Sequence, residues 1–316
     1  MPAETYAVEL FAPDIAPYAA GNTGIPYVTT FDSGRSGPHV VVNALTHGNE
    51  LCGAIALDRL FRDGVRPAAG KLTLSFANVD AFSRFDPATP SASRFVDEDF
   101  NRLWDTATLD GPRQSVELTR ARALRPLVDQ ADLLLDLHSM QYATAPLMLA
   151  GLADKSLALA RRVGVPGIIV RDAGHAAGRR LRDYGGFGAV ASSKAALLVE
   201  CGQHWERRAA EVALDTCLRF LAASGALAPA EAARILARPA PRQRVVTVTD
   251  AITIAGESFE FTADYRGLEV IAHAGTVIAR DDTREIRTPY DDCVLIMPSR
   301  RLTRGHTAVR LGRFTA

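Results

Sequence analysis

Lysine is nearly missing from these 316 residues: only Lys71, Lys155 and Lys194 occur. The remaining basic residues are arginines, and the formal net charge is zero, so the chain lacks the electropositive surface that nucleic acid demands. Genomic base composition accounts for the arginine preference as well as function does. Cysteine is scarce too. Cys52, Cys201, Cys217 and Cys293 are widely scattered and match neither a zinc ribbon nor a disulfide framework, which favours a reducing cytoplasm. No run of roughly 18 uncharged apolar residues occurs, and the stretch from Met1 to Leu10 has neither a basic start nor a continuous apolar segment. The expectation is a cytoplasmic protein that neither enters a membrane nor is exported. With 47% hydrophobic residues, the chain can bury a substantial core without disulfides, and its length lies between one large domain and two.

Apolar, β-branched runs recur through the first two-thirds: 40–45, 72–77, 133–137, 147–150, 168–170 and 196–199. Between several of them lie stretches with helical spacing, at 51–61, 116–128, 152–163 and 209–221. The alternation predicts an α/β unit. Runs that are apolar at successive positions suit strands covered on both faces, as in a mostly parallel central sheet. From Ala222 to Arg244 the composition turns to alanine and proline, with Pro229, Pro239 and Pro241 around a short helix, which reads as a connection. Beyond it, short alternating segments are separated by Gly, Asp and Pro turns. The reading is therefore a catalytic unit over 1–242 and a small β domain over 243–316. The phrase from Val270 to Ala279 has the look of a lipoyl or biotinyl carrier, but no lysine follows Lys194 to serve as the attachment point.

The most informative residues are His47, Gly48, Asn49 and Glu50, directly behind the apolar run ending at Leu45. An imidazole and a carboxylate three positions apart, where a strand gives way to a helix, can converge on one divalent ion. Such a pair alone is common. The balance shifts with His138, which closes the run from Asp132 at what would be the carboxyl edge of another strand, where open α/β sheets place their sites. Three protein ligands with a position left to water describe a catalytic zinc site, and two imidazoles favour zinc over magnesium. Glu200 ends another apolar run, and a carboxylate there is costly unless paired or functional, so it is a candidate general base. The loop from Arg94 to Arg102 carries two arginines and Asn101; arginine forks grip carboxylates and stabilise oxyanions, which suggests a carboxylate-bearing substrate. Taken singly, each has a bland alternative: a satisfied core histidine, a helix-capping glutamate, a solvated charged loop.

His47-Gly-Asn-Glu50, Arg94 with Asp99-Phe-Asn-Arg102, Asp136-Leu-His138 and Val199-Glu-Cys-Gly202 stand in the order and spacing of the succinylglutamate desuccinylase and aspartoacylase family, and nearly the whole chain resembles that branch of the zinc carboxypeptidase-like hydrolases. The resemblance implies an α/β zinc-carboxypeptidase-like domain, its mostly parallel or mixed central sheet flanked by helices, followed by a small all-β domain near the cleft. It implies a zinc-dependent amidohydrolase that deacylates a small N-acyl amino acid. His47, Glu50 and His138 would hold one Zn2+, Glu200 would act as the general base, Arg94 would polarise the scissile carbonyl, and Asn101 and Arg102 would hold a substrate carboxylate. In the glycine-rich segment 172–188, Arg179, Arg180 or Tyr184 would reach the ligand from a flap. Tyr290 is a further candidate from the β domain, with a surface turn as its alternative role.

The competing enzymatic reading is a metallocarboxypeptidase trimming peptides with the same ligands and base; a β domain over the cleft would favour small molecules. A binding protein that keeps the fold without catalysis is the third reading, against which stands the full set of ligands and Glu200. No nucleic-acid or membrane partner is expected, and self-association as a homo-oligomer is left open.

Overall fold

The protein is described here from a computed structural model covering residues 6–174 and 177–315. Its main sheet is built from β1 (Val28–Asp32), β2 (His39–Ala44), β3 (Lys71–Phe76), β4 (Leu133–Met140), β5 (Leu147–Leu149), β6 (Ile168–Arg171) and β7 (Ala195–Gln203). Four later strands extend it: β8 (Arg244–Thr253), β10 (Val270–Ile271), β13 (Cys293–Ile296) and β14 (Thr307–Thr315). Across the sheet the order is β1-β3-β2-β4-β7-β5-β6-β8-β14-β13-β10. Strands β3, β2, β4 and β7 run parallel in the middle, whereas β1 and β5 are antiparallel to their inner neighbours. The apolar runs predict helices around a mostly parallel sheet and the family resemblance a mostly parallel or mixed one; the sheet is mixed.

The two-residue period of each strand explains why helices pack on both faces. Val40 and Val42 of β2, Leu135 and Leu137 of β4, and Leu197 and Val199 of β7 share one apolar core with α1 (Leu51–Arg62), α5 (Asp154–Val163), α6 (Arg207–Ser224) and α7 (Pro229–Leu236). The residues between them, Val41, Leu134 and Ala196, face a second core formed with α4 (Val116–Gln130). Two one-turn helices, α2 (Val79–Phe82) and α3 (Thr106–Asp110), lie in the connections. Pro229 starts α7 at a first-turn position, where its missing N–H costs nothing.

The chain beyond residue 243 does two things. Strand β8 pairs in parallel with β6, and β14, β13 and β10 follow antiparallel, so these strands continue the main sheet. Strands β9 (Phe259–Phe261), β11 (Val277–Asp281) and β12 (Arg284–Arg287) form a separate antiparallel sheet over an apolar cluster shared with β13 and β14, which includes Ile278, Ile286, Leu295 and Leu311. Among the described residues, no helix is long and apolar enough to cross a membrane. All four cysteines are buried free thiols.

Candidate active site

The adjacent parallel strands β2, β4 and β7 end on the same side of the sheet, the edge where parallel strands expose their carboxyl ends. His47 follows β2 by a short turn, His138 lies near the end of β4, and Glu200 is its register partner on β7. Leu45, between β2 and His47, adopts φ 59°, a left-handed conformation disfavoured for a branched side chain. Gly48 explains the next step of the turn: a Cβ there would come within 2.4 Å of backbone atoms of Ala81 and Phe82. Its N–H donates to the Arg94 carbonyl at 3.1 Å, which ties the His47 turn to the arginine loop.

Ligand atoms of His47, Glu50 and His138 lie within 4.8 Å of one another, and all three residues are buried. His47 Nδ1 is 2.8 Å from Glu50 Oε1 and His138 Nδ1 is 3.0 Å from Glu50 Oε2. The outer nitrogens are equally committed: His47 Nε2 is 2.9 Å from Asp99 Oδ1, and His138 Nε2 is 2.8 Å from Asp136 Oδ2. Asp136 is held in turn by Asn43 Nδ2 and Thr46 Oγ1, which donate to its other oxygen at 2.9 and 2.8 Å. Two imidazoles that turn one nitrogen inward and pin the other with a carboxylate are the arrangement that orients metal-binding histidines. This donor set can therefore hold a metal ion.

Charge in the site is tightly coupled. Burial works against the Glu50 carboxylate, yet His47 and His138 hold its pKa well below the ordinary value. Burial also opposes a charged His138, but Asp136 and Glu50 hold its pKa well above the usual imidazole range. Glu200 behaves oppositely. Burial pushes its pKa up to about 8, against the pull of His138, with Glu50 adding to the rise. The two carboxylates are thus shifted in opposite directions, and Glu200 Oε2 has no hydrogen-bond partner.

A cavity of about 420 Å³ opens over these groups and is lined by His47, Glu50, His138, Glu200, Arg94, Asn101, Arg102 and Arg180. Arg94 donates to Glu50 and Asp99 at 3.3 and 3.2 Å, which more than offsets the penalty of its burial. The Asn101 amide oxygen accepts from the Leu181 N–H at 2.9 Å, leaving a donor NH2 group as its remaining chemistry. Arg102 donates to the Asn101 carbonyl at 2.6 Å; burial, against the pull of Asp99, and the nearby Arg94, Arg180 and Arg310 push its pKa down to about 10. A guanidinium so placed favours an anionic ligand.

The other sequence candidates lie elsewhere or are already engaged. Arg180 forms a fork on Asp172, at 2.9 and 2.7 Å, and donates through Nε to Asp183. Arg179 lines a different pocket, with Asp105 and Asp183. Tyr184 binds Asp129 through its hydroxyl and packs edge-on against Trp104. Tyr290 hydrogen-bonds to Thr249 and lies under the Arg313 guanidinium, outside the cavity. Within the segment 172–188, His175 and Ala176 fall outside the described residues; Leu181 and Phe187 are buried in the core, which anchors its second half.

Several cavity and support residues received no role from the sequence. Asp99 links His47 to Arg94. Glu117, fully buried on α4, accepts from the backbone N–H groups of Val96, Asp97 and Glu98 at 2.6, 3.0 and 3.2 Å and from Asn78 Nδ2 at 3.0 Å, so it clamps the loop that bears Arg94 and Arg102. Arg310 of β14 and His204, just beyond β7, complete the wall. Their signals were an arginine inside an alternating strand and a histidine four positions after the candidate base.

The family model described as the succinylglutamate desuccinylase/aspartoacylase catalytic domain matches residues 36–227. Among solved structures, succinylglutamate desuccinylase from Vibrio cholerae is similar at 20% identity with a TM-score of 0.66, over 89% of this chain and 82% of that one. The product-bound ectoine utilization protein from Ruegeria pomeroyi is 18% identical, with a TM-score of 0.59 over 90% of this chain and 88% of its own. A succinylglutamate desuccinylase/aspartoacylase from Rhodobacter sphaeroides is 19% identical, with a TM-score of 0.60 over 92% and 89% of the two chains. These likenesses are of fold. No curated protein sequence matches the chain. The family model spans well over half of the sequence, including His47, Glu50, Arg94, His138 and Glu200, and the chain belongs to the succinylglutamate desuccinylase/aspartoacylase family of hydrolases.

Proposed function

We propose that this protein is a zinc-dependent amidohydrolase that deacylates a small N-acyl amino acid or a related carboxylate-bearing amide. The observation that carries the reading is the pairing of a converging His47, Glu50, His138 set with a buried Glu200, its pKa raised by burial to about 8, beneath an arginine-lined cavity. Zinc bound by those three residues would act as a Lewis acid and acidify water at neutral pH. Glu200 takes a proton from the attacking water and returns it to the leaving nitrogen. Arg94 polarises the scissile carbonyl, and Asn101 with Arg102 binds the carboxylate of the amino acid. Lining of the cavity by residues from the C-terminal segment, among them Met297, Arg301 and Arg310, favours small substrates over polypeptides. We further assign residues 243–316 to a β unit that walls the cleft, and the buried free thiols support a reducing cytoplasm. Kinetics of the zinc-loaded protein on N-acetyl, N-formyl and N-succinyl amino acids, beside C-terminally free peptides, test the assignment; a preference for the peptides would make the protein a metallocarboxypeptidase instead.

A further inference from the structure

His204 is a buried imidazole that the roles given above leave without a task. It lines the cavity, and its Nε2 has no hydrogen-bond partner. Such a vacancy is costly for a buried polar atom and requires an explanation. The rest of the residue is fixed. Its backbone N–H donates to the Met140 carbonyl at 2.8 Å, and Nδ1 lies 2.9 Å from Ser139 Oγ. Ser139 is itself locked, because its N–H donates to Glu50 Oε2 at 3.1 Å. The ring is thus braced against the strand end that carries His138, and its second nitrogen is left without a partner beside the cavity. Through Ser139 the ring is joined to Glu50, which places it at the end of the cavity where His47, Glu50 and His138 converge.

Ser139 Oγ and Nδ1 can exchange the donor role, and we take the hydroxyl as the donor. The ring proton then resides on Nε2, the nitrogen that has no partner. A substrate amide presents its carbonyl oxygen at the reacting centre, and that oxygen gains negative charge as the carbon is attacked.

We propose that His204 is a substrate-contacting residue, whose Nε2–H donates a hydrogen bond to the oxygen of the scissile acyl group and, with Arg94, stabilises the charge that develops there. The proposal rests on the deacylase reading. Because the bond strengthens as charge develops, its loss lowers kcat more than it raises KM.

The side-chain amide nitrogen of glutamine overlays imidazole Nε2, whereas that of asparagine reaches only the Nδ1 position, so two variants separate the donor from the bulk of the ring. In the zinc-loaded protein, on an N-acyl amino acid that the wild type hydrolyses, His204→Asn is expected to lower kcat by about 30-fold or more with KM within about threefold, and His204→Gln to recover most of that loss. Zinc per chain and the thermal midpoint should match the wild type in both. Independently of turnover, a long-range 1H–15N spectrum of histidine-labelled protein should show His204 as the Nε2–H tautomer. Wild-type kcat in His204→Asn, equal losses in both variants, or an Nδ1–H tautomer would overturn the proposal. If the wild type hydrolyses no N-acyl amino acid, the deacylase reading fails, and with it the assigned target oxygen, while the spectrum still reports separately whether the donor exists.

Discussion

His138 and Glu200 sit opposite each other on the adjacent parallel strands β4 and β7. One register pair thereby sets an imidazole of the candidate metal site beside the proposed general base, and neither depends on a loop for its position. Rigid strands hold such pairs more reproducibly than loops do. The division of labour between Glu50 and Glu200 follows from their neighbours: two histidines surround the first, and burial dominates the second.

Glu200→Gln is expected to keep one zinc per chain while turnover falls by about a thousandfold or more, the combined weight of a general base and of charge stabilisation. Full activity in this variant would remove Glu200 from the mechanism.

His47→Ala should lose the metal, because it removes one of three converging ligand groups. Zinc analysis after exhaustive dialysis is the check. Stoichiometric zinc in the variant would show the ligand set to be misplaced.

Zinc binding at pH 7 should release protons. Without metal, Glu200 has its pKa pushed up to about 8 by burial, and His138 is held well above its ordinary range by Asp136 and Glu50, so both carry protons at neutral pH. A bound cation expels them, and calorimetry in buffers of different ionisation enthalpy should count about one proton or more per zinc. The same shifts set the stability of the metal-free protein. Both groups bind protons more tightly folded than unfolded, so their contribution is full below the unfolded pKa and disappears as pH rises through the folded one. For Glu200 that window runs from its ordinary 4.5 to about 8. Glu200→Gln should flatten the fall in thermal midpoint across this range.

Glu117→Gln places an amide NH2 against backbone donors that now share two carboxylate oxygens. The cost should be about 1–3 kcal/mol of stability, as for buried donors left without an acceptor. Loosening of the loop that holds Arg94 and Arg102 should also lower kcat/KM by about tenfold or more with zinc retained. A variant that loses stability but keeps kcat/KM would make Glu117 structural only.

The parts of the fold that the sequence made legible are those with a period. β2, β4 and β7 are largely apolar because both faces are covered, and His47, His138 and Glu200 stand just beyond or near the carboxyl end of each strand. The clamp by Glu117 was not legible, since a buried glutamate on α4 looks like any helical carboxylate until the 96–98 amides are seen around it. Arg310 and His204 were hidden for a similar reason: both enter the cavity from segments whose local pattern reports only strand or turn. Arg179, Arg180 and Tyr290 illustrate the converse. Residue type made them attractive, and the partners that engage them, Asp172 and Asp183 for Arg180 and Thr249 for Tyr290, come from positions no spacing reveals.

Steady-state hydrolysis of N-acetyl, N-formyl and N-succinyl amino acids, with zinc content measured on the same sample, decides whether the protein is a zinc-dependent deacylase. Saturable turnover of at least one of them, abolished by chelation and restored by zinc, is the predicted result. No turnover of any, at one zinc per chain, would contradict it.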